Sequence, residues 1–341
     1  MRTETIFRAA AAKVSPDSGL ICGFALSADG STRAVEIDGV AAAVGEEGTV
    51  VWLHFNAAHA GARRWLAQSS FAPAQFLQLI EEHDTRVQVN ATSSELMAVI
   101  NDLAFGEEVD PSEVVTVWVF ASQRLLVTAR SHAARTADLL RQSARAQLAA
   151  ASGQGLLARM LESQASVLGQ WLADAAHQLD QVEDRIVIGQ VSEQREGLGR
   201  IRRMAMHLRR HFSPLRVALH RLLSPPAESR GAIDVESWRH VHDDLAFAVD
   251  EAANVYERAK LLQEELSSRL AEATNRNLYV LTTWTIVFLP MTLLSGIFGM
   301  NVAGVPGVGE HFTAGAFWGV MLLIAFTGVL SYLMVRRRRL F

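Results

Sequence analysis

Residues 277–301, NLYVLTTWTIVFLPMTLLSGIFGMN, decide the reading of this chain. No Asp, Glu, Lys or Arg occurs between Asn277 and Gly309, and none between His311 and Val335. Each half holds an apolar run, residues 278–298 and 312–335. Both match the ~20 residues that cross a ~30 Å hydrocarbon core. Backbone groups in lipid must be satisfied within their own segment, so both runs are expected to be helices.

Charge sets the expected orientation. Arg336, Arg337, Arg338 and Arg339 follow the second run, and Arg276 precedes the first. The connection, residues 299–311, has no Lys or Arg and one acid, Glu310. Basic residues stay on the cytoplasmic side, so both termini are expected there and the connection faces outward. Trp318 and Tyr332 lie near the two ends of the second run, where interfacial anchors sit. Residues 1–12 lack a charged start followed by an apolar core and a small-residue cleavage site, so no cleaved leader is expected.

The remaining residues suffice for one or two domains with a core of their own. A net charge of -4 argues against a general nucleic-acid binder. Cys22 is the single cysteine, which excludes a disulfide framework and a thiolate zinc cluster.

Residues 1–135 read as a cytoplasmic α/β domain. Strands are expected at 49–55, 114–121 and 124–129, the last two joined as a hairpin at Ser122-Gln123, with weaker strands at 85–90 and 96–103. A helix over 73–83 opens with proline in its first turn. No phosphate-cradling glycine pattern, nucleophile–base pair or metal-ligand cluster appears in this part. Residues 136–276 read as a helical stalk, with helices over 136–151, 156–189 and 192–223, the last bent at Pro214, and Gly153 and Gly155 as a break. From Val235 to Leu289 there is no proline, so one helix is expected to run from the cytoplasm into the membrane. Residues 277–341 form the transmembrane part.

Two periodicities lie on that helix. Leu245, Ala252, Ala259, Leu266, Ala273, Val280 and Val287 recur every seven residues, a packing seam for neighbouring helices or subunits. A second stripe, Thr282, Thr285, Leu289, Thr292, Gly296 and Gly299, is spaced 3, 4, 3, 4, 3. Small and hydroxylated residues serve helix packing in lipid, or they wall a pore. Two spans cannot enclose a pore, so the second option requires a ring of copies. Asp243, Asp250, Glu257 and Glu264 are also seven apart. They are a solvated flank of the seam, or stacked carboxylate rings that concentrate a cation.

Pro290, Thr292, Phe298 and Gly299-Met300-Asn301 resemble the end of the first span and the signature loop of the CorA family of divalent-cation transporters. Residues 302–307, VAGVPG, look like its ZntB branch, because the magnesium type carries an acid where this chain has Gly307. Trp52-Leu53-His54, Asp84-Thr85-Arg86 and Leu126-Val127-Thr128-Ala129-Arg130 resemble the same branch. The resemblance implies a funnel-shaped homopentamer in the bacterial inner membrane, no enzyme and no cofactor, with Zn²⁺ as the transported ion. It also implies that Asn301 forms the outer pore ring, with Gly299 and Met300 in the signature loop. Thr292 lies one level inward, Leu289 at an apolar constriction and Asn275 at the cytoplasmic end.

Further metal candidates are His240 and His242 beside Asp243 and Asp244. His207 and His211 are four apart but share their helix with Arg200, Arg202, Arg203, Arg209, Arg210 and Arg216, whose charges repel a dication. Neither span contains Asp, Glu, Lys, Arg or His, so proton coupling, which the resemblance implies, would fall to Glu310 and His311 or to cytoplasmic groups. The alternatives are a CorA-type Mg²⁺/Co²⁺ channel and, in another class, a membrane-anchored cytoplasmic sensor or adaptor.

Overall fold

Short runs of β-branched and aromatic residues assemble the sheet. The computed structural model describes residues 18–92, 94–104, 113–188, 194–224, 234–300 and 314–338. Among these, seven strands pair: β1 (Leu20–Ser27), β2 (Thr32–Ala34), β3 (Thr49–Asn56), β4 (Gln88–Ala91), β5 (Leu96–Leu103), β6 (Val114–Ala121) and β7 (Leu125–Arg130). Their order is β2-β1-β3-β7-β6-β5-β4. Only β3–β7 is parallel; the other pairings are antiparallel, including the β6–β7 hairpin that closes Ala121 on Leu126.

Alternation along the strands gives the sheet two buried faces. On one, Phe55, Val127 and Phe120 pack with Leu66, Phe76 and Ile80. The last three come from α2 (Ala60–Gln68) and α3 (Ala74–Glu81), which follow α1 (Val40–Gly45). Helices α4 (Arg135–Arg145) and α5 (Gly153–Val187) pack against the sheet as well. Gly153 opens α5 rather than breaking a helix. A Cβ there would stand 2.4 Å from the Leu125 carbonyl oxygen, so only glycine lets α5 start against the hairpin. Ser152 caps this end, its Oγ accepting from the Gly155 amide at 2.9 Å.

The other face, with Trp52, His54 and Thr128, carries buried polar groups, most of them hydrogen-bonded; Gln164 Oε1 is without a partner among the described residues. Asp102 sits at the N-terminus of α4 and accepts from the Thr136 amide at 2.9 Å and from the Thr136 hydroxyl. Gln164 of α5 donates to the same carboxylate at 3.3 Å. Burial raises the Asp102 pKa, and these donors oppose the rise. His54 Nε2 accepts from Arg130 Nε at 2.8 Å, so Nδ1–H donates to Thr128 Oγ1 at 2.7 Å. Burial first, then the Arg130 and Arg141 charges, hold the His54 pKa down at about 3. Its cross-strand neighbour Cys22 is pushed up to about 12 by burial, an inert thiol.

Three long helices complete the chain: α6 (Gln194–Leu223), continuous through Pro214; α7 (Val235–Phe298); and α8 (Ala314–Arg338). With 64 residues, α7 is about 96 Å long. The chain divides into two compact units, Met1–Gln263 and Glu264–Phe341, and α7 contributes to both. In the first unit α7 buries Trp238, Val241, Leu245, Val249, Ala252, Ala259 and Leu262. Arg216 of α6 pairs with Asp250 at 2.7 Å, and Arg258 pairs with Asp180 and Glu183 of α5 at 2.5 and 2.7 Å. The seven-residue seam is therefore filled within one chain as far as Leu266; beyond it, Ala273 and Val280 are exposed.

Candidate functional site

Leucine, isoleucine, valine and phenylalanine dominate both C-terminal helices, which are long and apolar enough to cross a membrane. They are not featureless. Along α7 the half-buried residues beyond 278 are Thr283, Val287, Pro290, Met291, Leu294 and Phe298, a single helical face. On α8 the covered positions are Val320, Ile324, Thr327, Gly328, Ser331 and Val335, with the same 4-3-1-3-4 spacing. The two faces meet where Met291 lies over Gly328: a Cβ on Gly328 would stand 2.8 Å from the Met291 sulfur. Glycine here lets the helices approach closely, as small residues do in lipid.

The stripe Thr282, Thr285, Leu289, Thr292, Gly296 and Gly299 lies on the opposite side. At 3.6 residues per turn its mean direction is about 180° from the face that α8 covers. All six are exposed on this chain, Leu289 by 63%. Thr285 and Thr292 donate their hydroxyl protons to the carbonyls of Leu281 and Phe288, each at 2.9 Å. Their oxygens then face outward as acceptors only. Acceptors suit a hydrated cation, whose water ligands present protons. The stripe thus pairs acceptor oxygens with one bulky apolar side chain at Leu289.

Gly299 and Met300 end α7, their amides donating to Ser295 and Ile297 at 3.0 and 3.3 Å. Asn275 is exposed on α7, about one and two-thirds turns before Leu281. Asn301, Glu310 and His311 lie outside the described residues.

The acidic series is exposed but not uniform. Asp250 is held by Arg216, Asp243 accepts from His242 Nδ1 at 2.9 Å, and Glu257 lies 3.9 Å from Lys260. Glu264 has no ion pair among the described residues. Neighbouring cations cancel much of the field that Asp250 and Glu257 would project. His240 is exposed, whereas His242 is half-buried with its ring 5.7 Å from that of His220, a neighbour on α6 that sequence spacing does not reveal. The His207 and His211 rings lie 6.2 Å apart, tilted by 36°, and burial, then His207 and Arg210, lower the His211 pKa. No group of three or more His, Cys, Asp or Glu side chains suited to a metal occurs among the described residues.

Sequence reasoning missed the α8-facing set. Its signal was the match of the 4-3-1-3-4 spacing on both helices, which is hard to see among residues that are all apolar.

A family model described as CorA-like Mg²⁺ transporter protein matches residues 47–337. The zinc transport protein ZntB of Yersinia enterocolitica is 23% identical over 323 residues, 95% of this chain and 97% of its own. The divalent cation transporter CmaX of Pseudomonas aeruginosa is 28% identical over 328 residues, again 95% and 97%. The solved structure of full-length CmaX aligns with a TM-score of 0.78 at 25% identity, over 95% of this chain and 98% of that one.

Proposed function

The chain belongs to the family of CorA-like Mg²⁺ transporter proteins, and from that membership we propose that it carries Zn²⁺ through a pore walled by copies of α7. Members of this family transport divalent cations and are not enzymes. The observation that carries the proposal is the direction of the threonine stripe. Because α8 covers the opposite side of α7, a ring with α8 outermost turns Thr285, Leu289 and Thr292 toward the axis. One chain supplies two spans, so the ring needs several copies, five in the arrangement proposed here.

In that ring Asn301 forms the outer level, where amide oxygens hold a hydrated dication weakly enough to release it. Thr292 adds hydroxyl acceptors one level inward, Leu289 narrows the path and Asn275 lines the inner end. The membrane is a bacterial inner membrane, with Arg276 and Arg336–Arg339 on the cytoplasmic side. Inward movement is favoured: a dication gains about 4.6 kcal/mol per 100 mV of negative-inside potential. Proton coupling uses Glu310 and His311 at the mouth or cytoplasmic groups, since neither span has a titratable carboxylate or imidazole.

Zinc as the cargo rests on residues 302–307 and on the ZntB relative; the family description itself favours magnesium. Uptake into proteoliposomes loaded with a zinc-sensitive dye separates the two. Zinc entry that resists excess Mg²⁺ supports the proposal, and its response to a pH gradient decides the coupling. Entry abolished by Mg²⁺ assigns the protein to the Mg²⁺/Co²⁺ type.

A further inference from the structure

Between α7 and α8, away from the Met291–Gly328 contact, the helices line an open cleft of about 260 Å³. Its walls are apolar and aromatic, with Val280, Tyr279 and Trp284 on α7 and Val335 and Tyr332 on α8. Arg336 completes the lining and is the first cation after the uncharged run of α8. An apolar cleft that ends in a guanidinium at the edge of a membrane span has the chemistry of a phospholipid: acyl chain along the wall, phosphodiester at the cation. We propose that this cleft binds an anionic phospholipid through Arg336.

Charge balance supports that occupant. From residue 272 to the C-terminus the only acids are Glu272 and Glu310, and Glu310 lies in the connection between the two helices. No carboxylate occurs on α8 or on α7 beyond Glu272, and three further arginines, Arg337, Arg338 and Arg339, follow Arg336 in the sequence. Arg336 has no ion pair among the described residues, and anionic headgroups are the anions concentrated at this level. Arginine suits a phosphodiester because its planar fork donates two parallel hydrogen bonds. Tyr279, Trp284 and Tyr332 supply amphipathic rings of the kind that settle at headgroup depth. Thr283, also in the lining, donates its hydroxyl to the Tyr279 carbonyl at 2.8 Å and so adds no free donor to the cleft.

This inference rests on the two helices crossing a membrane and not on which ion passes, so a binding assay tests it independently of transport. The purified full-length protein is titrated in detergent with phosphatidylglycerol, phosphatidylcholine or inorganic phosphate, and bound lipid is counted by native mass spectrometry. Phosphatidylglycerol is expected to bind at least about tenfold more tightly than phosphatidylcholine, which carries the same phosphodiester but adds a choline cation beside the arginines. Arg336→Gln should remove that preference, Arg337→Gln should change it less than about twofold, and Val280→Phe should block the cleft with every arginine retained. Should Arg336→Gln fail to fold, Val280→Phe and Arg336→Lys carry the test, the lysine retaining only part of the preference. Equal affinity for the two lipids overturns the proposal, as does an equal loss in Arg337→Gln or full binding by Val280→Phe. Displacement of the lipid by equimolar phosphate reassigns the cleft to a small anion and overturns it too.

Discussion

Two tryptophans on one helix show how differently the halves of this molecule are built. Trp238 of α7 is 1% exposed, packed in the first compact unit; Trp284, further along the same helix, is 56% exposed. In the first unit water is the solvent, and burying apolar area drives packing. The buried carboxylate of Asp102 is held there by hydrogen bonds from Thr136 and Gln164. In the second unit Leu281, Leu289, Leu293 and Leu322 face outward, each more than 60% exposed, because lipid tails are as apolar as they are. Contact there is made by Met291, Leu294 and Ile324 together with the small Gly328, Thr327 and Ser331. The lesson is that one backbone geometry obeys opposite side-chain rules once the solvent changes.

The largest expected effect tests that contrast directly. Trp238→Ala should cost about 3–5 kcal/mol of stability, as for other buried aromatic truncations. Trp284→Ala, made on the same helix, should cost less than about 1 kcal/mol by thermal denaturation in detergent. Equal losses would mean that α7 is buried alike along its whole length.

Next come two glycines. An alanine Cβ at Gly153 meets the Leu125 carbonyl at 2.4 Å and the Ser122 carbonyl at 2.6 Å, both backbone atoms that cannot swing aside. Gly153→Ala should therefore destabilise by about 1–3 kcal/mol. Gly328→Ala meets the flexible Met291 thioether and should cost under about 1 kcal/mol. A larger loss at Gly328 than at Gly153 would reverse the assignment of rigid and yielding contacts.

A smaller effect comes from pH. Folding lowers the His54 pKa from 6.5 to about 3. Between those values the unfolded chain binds the proton and the folded chain does not, so stability falls as pH drops through this window. The slope from this one group is at most about 1.4 kcal/mol per pH unit. His54→Gln should flatten the difference in urea stability between pH 7 and pH 5; an unchanged difference would show that His54 takes up its proton while folded.

Thr292→Val should be the mildest for stability, within about 0.5 kcal/mol. It removes an acceptor that faces the proposed axis, so zinc uptake should fall about tenfold, the worth of one such hydrogen bond. Unaltered uptake would take Thr292 out of the pore.

Much of this architecture was legible in the residues. The β6–β7 hairpin follows from two β-branched runs around Ser122-Gln123, and α7 from a long stretch without proline. Strand β1 was missed because LICGFALS mixes Cys, Gly, Ala and Ser with its apolar residues. It is held in place by pairing with β2 and β3 on both edges. Gly23 is needed there because a Cβ would stand 2.4 Å from the Val35 carbonyl oxygen, a contact that no local propensity records. The seven-residue seam looked continuous because alanine and valine at Ala273 and Val280 resemble the buried Ala259. Only the chain's own packing separates a filled position from an open one.

The sequence by itself determined the two apolar helices, the length of α7 and the spacing of the threonine stripe. These depend on hydrophobicity and helical period, which are local properties. Only the tertiary structure decided which way the stripe points, because direction needs a second helix as reference. The sequence of α8 is apolar on every side and does not announce the face that meets Met291. The same holds for Arg216 on Asp250 and His220 beside His242: pairs 34 and 22 residues apart in sequence become neighbours only when α6 packs against α7.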